Sequence, residues 1–239
     1  GEGGAILLAG TVLKTGALMG ASALASALLQ PKTGSGGSPT AFKADPAAPI
    51  GGVMGRFGTA GRQIHMRSWG KENLFLSFAT VLSLGPIQSV EAFSANGNFV
   101  TFPGPQGMAA NIEPYKDKMW MTYKLGLPTD GTLGPPTGQA QGTPAMDPPW
   151  TAAHRTSGYA LSFWTMRNNS KRASYESGVP RPLWYLLGQK VWDPRYDSTY
   201  PGGLGPQRRD DWRTWAWNEN PYLHALAWVR GHHKLLAGG

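Results

Sequence analysis

A chain of 239 residues with 33 Gly, 20 Pro and no Cys is long enough to bury a sizeable core, and it excludes disulfide frameworks, thiol catalysis and Cys-ligated metals. Lys and Arg number 22 against 14 Asp and Glu, a net charge of +8. The excess is uneven: residues 1–149 hold 10 basic and 8 acidic residues, whereas 150–239 hold 12 and 6, together with eight of the ten Trp. Large apolar side chains thus concentrate where the charge does, which is the composition of a core or an interface and not of a disordered basic tail.

The chain begins Gly1-Glu2-Gly3-Gly4 without Met and stops at Leu235-Leu236-Ala237-Gly238-Gly239 straight after a helix-like stretch, as expected of a processed piece of something longer. Residues 5–29 (AILLAGTVLKTGALMGASALASALL) form an apolar run that as a helix reaches about 38 Å, enough to cross a bilayer. A signal peptide fits poorly, given the acidic Glu2, the uncharged start and the length. Two readings stay open. One is a membrane span, in which Lys14 would cost a few kcal/mol facing lipid. The other is a helix that packs against symmetry mates, because Gly16 and Gly20, with Ala17, Ala21 and Ala25, recur every four positions as a smooth ridge. Leu8, Gly16, Gly20, Ala21 and Leu24 are the candidate contact residues of that helix, which occupies 1–30.

Residues 31–55 are dense in Gly, Pro, Ser and Ala and read as a linker to a body over 56–239. There the pattern changes to short apolar stretches cut by Gly and Pro, the signature of β-structure. Residues 63–69 (QIHMRSW) alternate, with Ile64, Met66 and Ser68 on one face. Residues 74–84 (LFLSFATVLSL) suit a buried strand ended by Gly85-Pro86. Residues 87–93 and 98–102 flank Asn96-Gly97, a tight-hairpin signal. Residues 118–125 alternate again, and the natural summary is a strand meander. Residues 126–149, with six Pro, read as a long surface loop. Strand patterning resumes over 158–166 and 183–192.

One helix is well marked: Asn220 as N-cap, Pro221 at the first helical position, Leu223, Leu226, Ala227 and Arg230 at spacings of three and four, and Gly231 as the left-handed exit. Being about ten residues long, it must be held by packing, here expected through Leu223, Leu226 and Trp228. The fold class is therefore α+β, mainly antiparallel β, with an N-terminal apolar helix and a short C-terminal one.

The sequence carries little that resembles catalytic or metal-binding chemistry. None of the five His stands in a metal-ligand spacing such as H-E-x-x-H. Asp193, Asp197, Asp210 and Asp211 make a carboxylate-rich stretch, but the alternation of a calcium loop is absent, and salt bridges with Arg195, Arg208, Arg209 and Arg213 explain it better. No G-x-S-x-G, phosphate-binding Gly-Lys loop or glycosidase-like pair is found. No enzyme activity, cofactor or metal is expected. Arg interleaves with aromatics, as in Trp212-Arg213-Thr214-Trp215, and the isoelectric point is near 9.8, yet no nucleic-acid module accompanies them.

Three stretches carry a resemblance: Gly178-Val179-Pro180; the run from Leu183 through Gly188-Gln189-Lys190-Val191-Trp192-Asp193-Pro194-Arg195; and Trp215-Ala216-Trp217-Asn218-Glu219-Asn220-Pro221-Tyr222. They resemble the tail-tip hub proteins of long-tailed bacteriophages, the J protein family of lambda-like phages, and related proteins of gene transfer agents. In that family a strand ending in a Gly-Lys-Val-Tyr-Asp-Pro-Arg-like motif precedes a loop, then Trp-Ser-x-Asn-Pro-Ala and a short helix. Here Trp192 replaces the Tyr, Gln189 separates Gly188 from Lys190, and Tyr222 follows Pro221. The match covers roughly 56–239 and is specific mainly over the last sixty or so residues.

The resemblance implies a virion structural protein, a homotrimeric hub at the distal tail tip. It would contact the distal-tail, tape-measure and tip or fibre proteins, meet the host receptor indirectly, and touch DNA only transiently in the channel. Trp192, Asp193, Pro194, Arg195, Trp217, Asn220 and Pro221 then read as scaffold. Asp193-Pro194 forces the chain out of its strand, Arg195 binds a carboxylate or carbonyl to fix the turn, and Trp217 packs back onto the helix it precedes. The helix over 5–29 would bundle on the tail axis as a plug or anchor, with membrane contact left open. A second class stays open too: a secreted or membrane-anchored carbohydrate-binding β-module, which would expose its Trp in a row as sugar platforms.

Overall fold

The computed structural model describes residues 49–102, 110–134, 150–151, 153–167, 175 and 178–232. The chain divides into two units, 1–43 and 44–239, and everything described lies in the second. The helix expected over 1–30, with Leu8, Gly16, Gly20, Ala21 and Leu24, falls outside the described residues, as does most of the long loop.

Ten strands and one helix make up the described part: β1 (Arg56–Thr59), β2 (Arg62–Trp69), β3 (Phe75–Leu84), β4 (Ser89–Ala95), β5 (Asn98–Val100), β6 (Met119–Lys124), β7 (Tyr159–Arg167), β8 (Pro182–Leu187), β9 (Lys190–Val191), β10 (Ala216–Trp217) and α1 (Pro221–Val229). All the strand pairs are antiparallel, so the mainly antiparallel α+β class is correct. Among the described residues no helix is long and apolar enough to cross a membrane.

The strands form two four-stranded sheets, β1-β8-β4-β5 and β2-β3-β7-β6, and a small ribbon, β10-β9. This corrects the meander. The chain crosses between sheets after β1, β3, β5 and β7, so that most neighbours within a sheet are distant in sequence. A local reading of alternation finds strands but not which sheet each one joins.

One core sits between the sheets. Phe93, Ala95, Trp184 and Leu186 of the first sheet meet Phe78, Leu82, Met121, Trp164 and Met166 of the second. Trp164 and Trp184 are fully buried and meet edge to face at 6.1 Å. Phe78 stacks on Trp164 at 4.6 Å, and the Trp184 indole N–H donates to Met121 Sδ at 3.2 Å. The second sheet has another buried face, where Phe75, Ala79, Val81, Trp120, Leu161 and Phe163 are covered by Ile50, Leu133 and Trp150. Both faces of β3 are therefore dry, which is why its sequence is almost continuously apolar. On that outer face the Trp69 indole N–H donates to Ser77 Oγ at 2.8 Å, and Ser77 and Thr165 hydroxyls share a hydrogen bond at 2.7 Å.

The turn between β4 and β5 has Asn96 at φ 52° and Gly97 at φ 81°, the two left-handed residues of a type I′ hairpin. Two expected boundaries move. The body reaches back into the presumed linker, since Val53 is buried in the main core and Gly51 accepts the Leu84 N–H. The single strand expected over 183–192 breaks at Gly188-Gln189, whose N–H groups turn to Gly55 O and Val53 O. A Cβ on Gly188 would collide with the Val53 carbonyl. Only Gly allows that close approach.

Candidate functional site

Of the site residues singled out by the sequence, the described ones, Trp192 to Arg195, Trp217, Asn220 and Pro221, lie in one stretch, 188–232, built from β9, β10, two 3-10 turns and α1. After Val191 the strand ends, as Asp193-Pro194 requires, and a 3-10 turn covers Pro194–Tyr196. Asp193 is the N-cap of that turn: its Oδ1 accepts the Arg195 N–H at 3.0 Å, while the Arg195 guanidinium returns two hydrogen bonds to Oδ2, at 2.6 and 3.2 Å. That fork holds the Asp193 carboxyl below the usual carboxylate range. The Asp193 N–H donates to Gln207 Oε1 at 2.8 Å, pinning the turn to the returning chain.

Asp197, only 1 % exposed, organises the rest. Its carboxylate accepts the Trp192 indole N–H at 2.9 Å, the Thr199 N–H at 2.9 Å, the Thr199 hydroxyl at 2.6 Å and the Arg209 N–H at 3.0 Å. These donors, the Thr199 hydroxyl foremost, pull its pKa down to about 2. Gly203 lies so close behind that a Cβ would strike the Asp197 and Pro194 carbonyls. The sequence shows Asp197 only as a member of a carboxylate-rich stretch. Its Asp-x-Thr spacing, an Asx-turn pattern, is the signal that marks it as the organiser.

Four carboxylates and four arginines pair off within this stretch: Arg195 with Asp193 at 2.6 Å, Arg208 with Asp197 at 3.5 Å, Arg209 with Asp210 at 3.0 Å and Arg213 with Asp211 at 3.9 Å. The arginine-rich stretch is thus neutralised from inside. Among the described residues no group of three or more His, Asp or Glu is arranged to hold a metal.

Asn220 caps α1 through the Tyr222 N–H at 2.9 Å, Pro221 is its first residue, and Gly231 exits at φ 70°. Two expectations about its packing need correction. The tryptophan that packs with the helix is Trp215, which with Trp192 forms a cluster joined by Leu226, whereas Trp217 is half-buried in β10. Trp228 does not anchor the helix, being 61 % exposed; Leu223 and Ala227 pack on Val191 instead. The Trp215 indole N–H donates to Arg208 O at 2.9 Å, the Arg230 guanidinium lies 5.2 Å above Trp192, and the His232 ring lies tilted against Trp215 at 4.8 Å. Burial, with the nearby Arg230 cation, lowers the His232 pKa.

α1 contains no charged residue. Its outer side leaves Tyr222 82 % and Val229 83 % exposed beside Trp228. Along it runs an open groove of about 800 Å³, floored by Met54, Gly55, His224 and Ala225 and rimmed by Arg56 and Glu219. Arg56 is itself paired with Glu91 at 2.8 Å and lies 4.0 Å from Glu219. A row of exposed Trp, the mark of a sugar-binding surface, is not present: six of the ten are buried, three are half-buried and Trp228 alone is exposed.

No family model and no curated protein matches the chain. Among solved structures it is similar to a chain in the virion of the native gene transfer agent particle, with 19% identity over 61% of this chain and a TM-score of 0.37. The matched part spans 28% of that virion chain.

Proposed function

We propose that the chain is a structural protein of a phage-like virion, part of a central hub at the distal tail tip. In this reading three copies close the end of the tail tube, organise tip and fibre attachment, and take part in host attachment and DNA ejection without catalysing a reaction. The sequence resemblance over 178–222 supports it, and so does what the matching residues do. The Asp193-Pro194-Arg195 turn uses the Asp193 carboxylate to hold its own backbone and the Arg195 guanidinium, as befits scaffold.

The observation that carries the proposal is the uncharged helix that this scaffold holds out. A helix without a polar face is expected to be covered, and Tyr222, Trp228 and Val229 give it an apolar outer side suited to an assembly contact. Reconstruction of a particle containing this chain tests the reading. Three copies around the axis at the distal end, with α1 buried between chains, are the expected result. Density elsewhere in the particle, or α1 facing solvent, would overturn it.

A further inference from the structure

The outer face of the second sheet gathers several buried polar atoms that have no hydrogen-bond partner. A bulge between Gln63 and His65 sets Arg62 opposite Val81 and His65 opposite Ala79. Val81 and Ala79 belong to the same outer cluster, so both side chains stand on that face, roughly 7 Å apart along the strand. Trp150 packs onto the same cluster, its ring 5.1 Å from that of His65 and stacked at 4.6 Å on His154.

Three nitrogens there, Arg62 Nη1, His65 Nε2 and Trp150 Nε1, are shut off from solvent without a hydrogen-bond partner, and Thr156 Oγ1 on the covering segment is in the same condition. Arg and the indole are donors only, and a buried donor without an acceptor costs about 1–3 kcal/mol. The shortage is therefore of acceptors. The charge points the same way. Among the described residues no salt bridge joins Arg62 or His65 to a carboxylate, and the charged neighbours that act on His65 are Arg67 and His154. Asp130, on a segment nearby, has its Oδ2 taken by the N–H groups of Gly126 and Leu127. Arg195, Arg208, Arg209 and Arg213, by contrast, each have an Asp.

We infer that Arg62, His65 and Trp150 form a binding site for an oxyanion, a phosphate or a carboxylate, held by the guanidinium, the imidazole and the indole N–H against the outer face of the second sheet. The site is independent of the α1 surface and of the virion reading.

The test is NMR of the full chain, following the Trp150 indole and His65 ring signals during titration with inorganic phosphate or sodium acetate against sodium chloride at equal ionic strength. A saturable shift of both signals with either oxyanion and none with chloride is expected, and whichever of phosphate or acetate saturates identifies the source. Arg62→Met should weaken binding about tenfold, the loss of one charge-assisted hydrogen bond. Trp150→Phe, which keeps an aromatic side chain but removes the N–H with the five-membered part of the indole, should also weaken it. Indole and imidazole signals that ignore both oxyanions, or binding that neither substitution weakens, would overturn the assignment.

Discussion

The indole N–H of Trp192 donates to the carboxylate of Asp197, five residues along the chain, at 2.9 Å. That contact ties the end of β9 to the loop that neutralises the arginine-rich stretch, and through Trp215 and Leu226 to the helix the loop supports. The basic, aromatic stretch thus satisfies its own charges and supports an uncharged helix.

Acid should unfasten this support in a defined window. The pKa of Asp197 falls from 3.8 to about 2 on folding, so its contribution is complete above the unfolded value and is lost as the pH drops from about 4 through about 2. Asp193 and Asp210 are lowered too, by Arg195 and Arg209, and act in the same sense. The melting temperature should therefore fall steeply below pH 4, and Asp197→Asn should be less stable at neutral pH with a shallower acid limb. Calorimetry across pH 2–7 reads both; an acid limb as steep in Asp197→Asn as in the parent chain would remove Asp197 from its organising role.

Two adjacent glycines should respond in a fixed order. Gly202 has φ +79° and open space around it, so Gly202→Ala costs about 1 kcal/mol of backbone strain. Gly203→Ala drives a methyl into the Asp197 and Pro194 carbonyls and should cost about 3 kcal/mol, at the upper end for overpacking. Urea unfolding measures the two; equal losses would show that the turn relaxes freely.

The core between the sheets should be the least forgiving place in the chain. Trp184 is fully buried, 5.1 Å from Phe93 and 6.1 Å from Trp164. Trp184→Ala should lose about 3–5 kcal/mol, read from denaturant midpoints. Asn220→Ala, which removes the cap of α1, should cost about 1 kcal/mol and speed amide exchange in the first turn of that helix alone.

The strands were legible because their causes are local. Residues 74–84 announce a doubly buried strand, Asn96-Gly97 its hairpin, and Asn220-Pro221 with Gly231 both ends of α1. Sheet membership was not, because β8 pairs with β1 and β4, more than 80 residues away, and no periodicity within 182–187 encodes such partners. At the site, Asp193, Pro194, Arg195, Asn220 and Pro221 do what their chemistry suggests within a few residues of themselves. Trp217 and Trp228 do not: which of the tryptophans over 212–217 turns inward depends on the path of the loop that precedes them, and Trp228 lies on the side of α1 away from Leu223 and Ala227. Asp197 is one of four carboxylates in that stretch, and its local signal is the Asp-x-Thr spacing; that its carboxylate also gathers the Trp192 indole and the Arg209 N–H depends on the fold.

Sedimentation of the purified chain tests most directly whether the outer side of α1 is an assembly surface. The prediction is a mass of three copies that Val229→Asp reduces to one while the single copy keeps its circular dichroism, since Val229 is 83 % exposed. A single-copy mass at every concentration, indifferent to Val229→Asp, would contradict it.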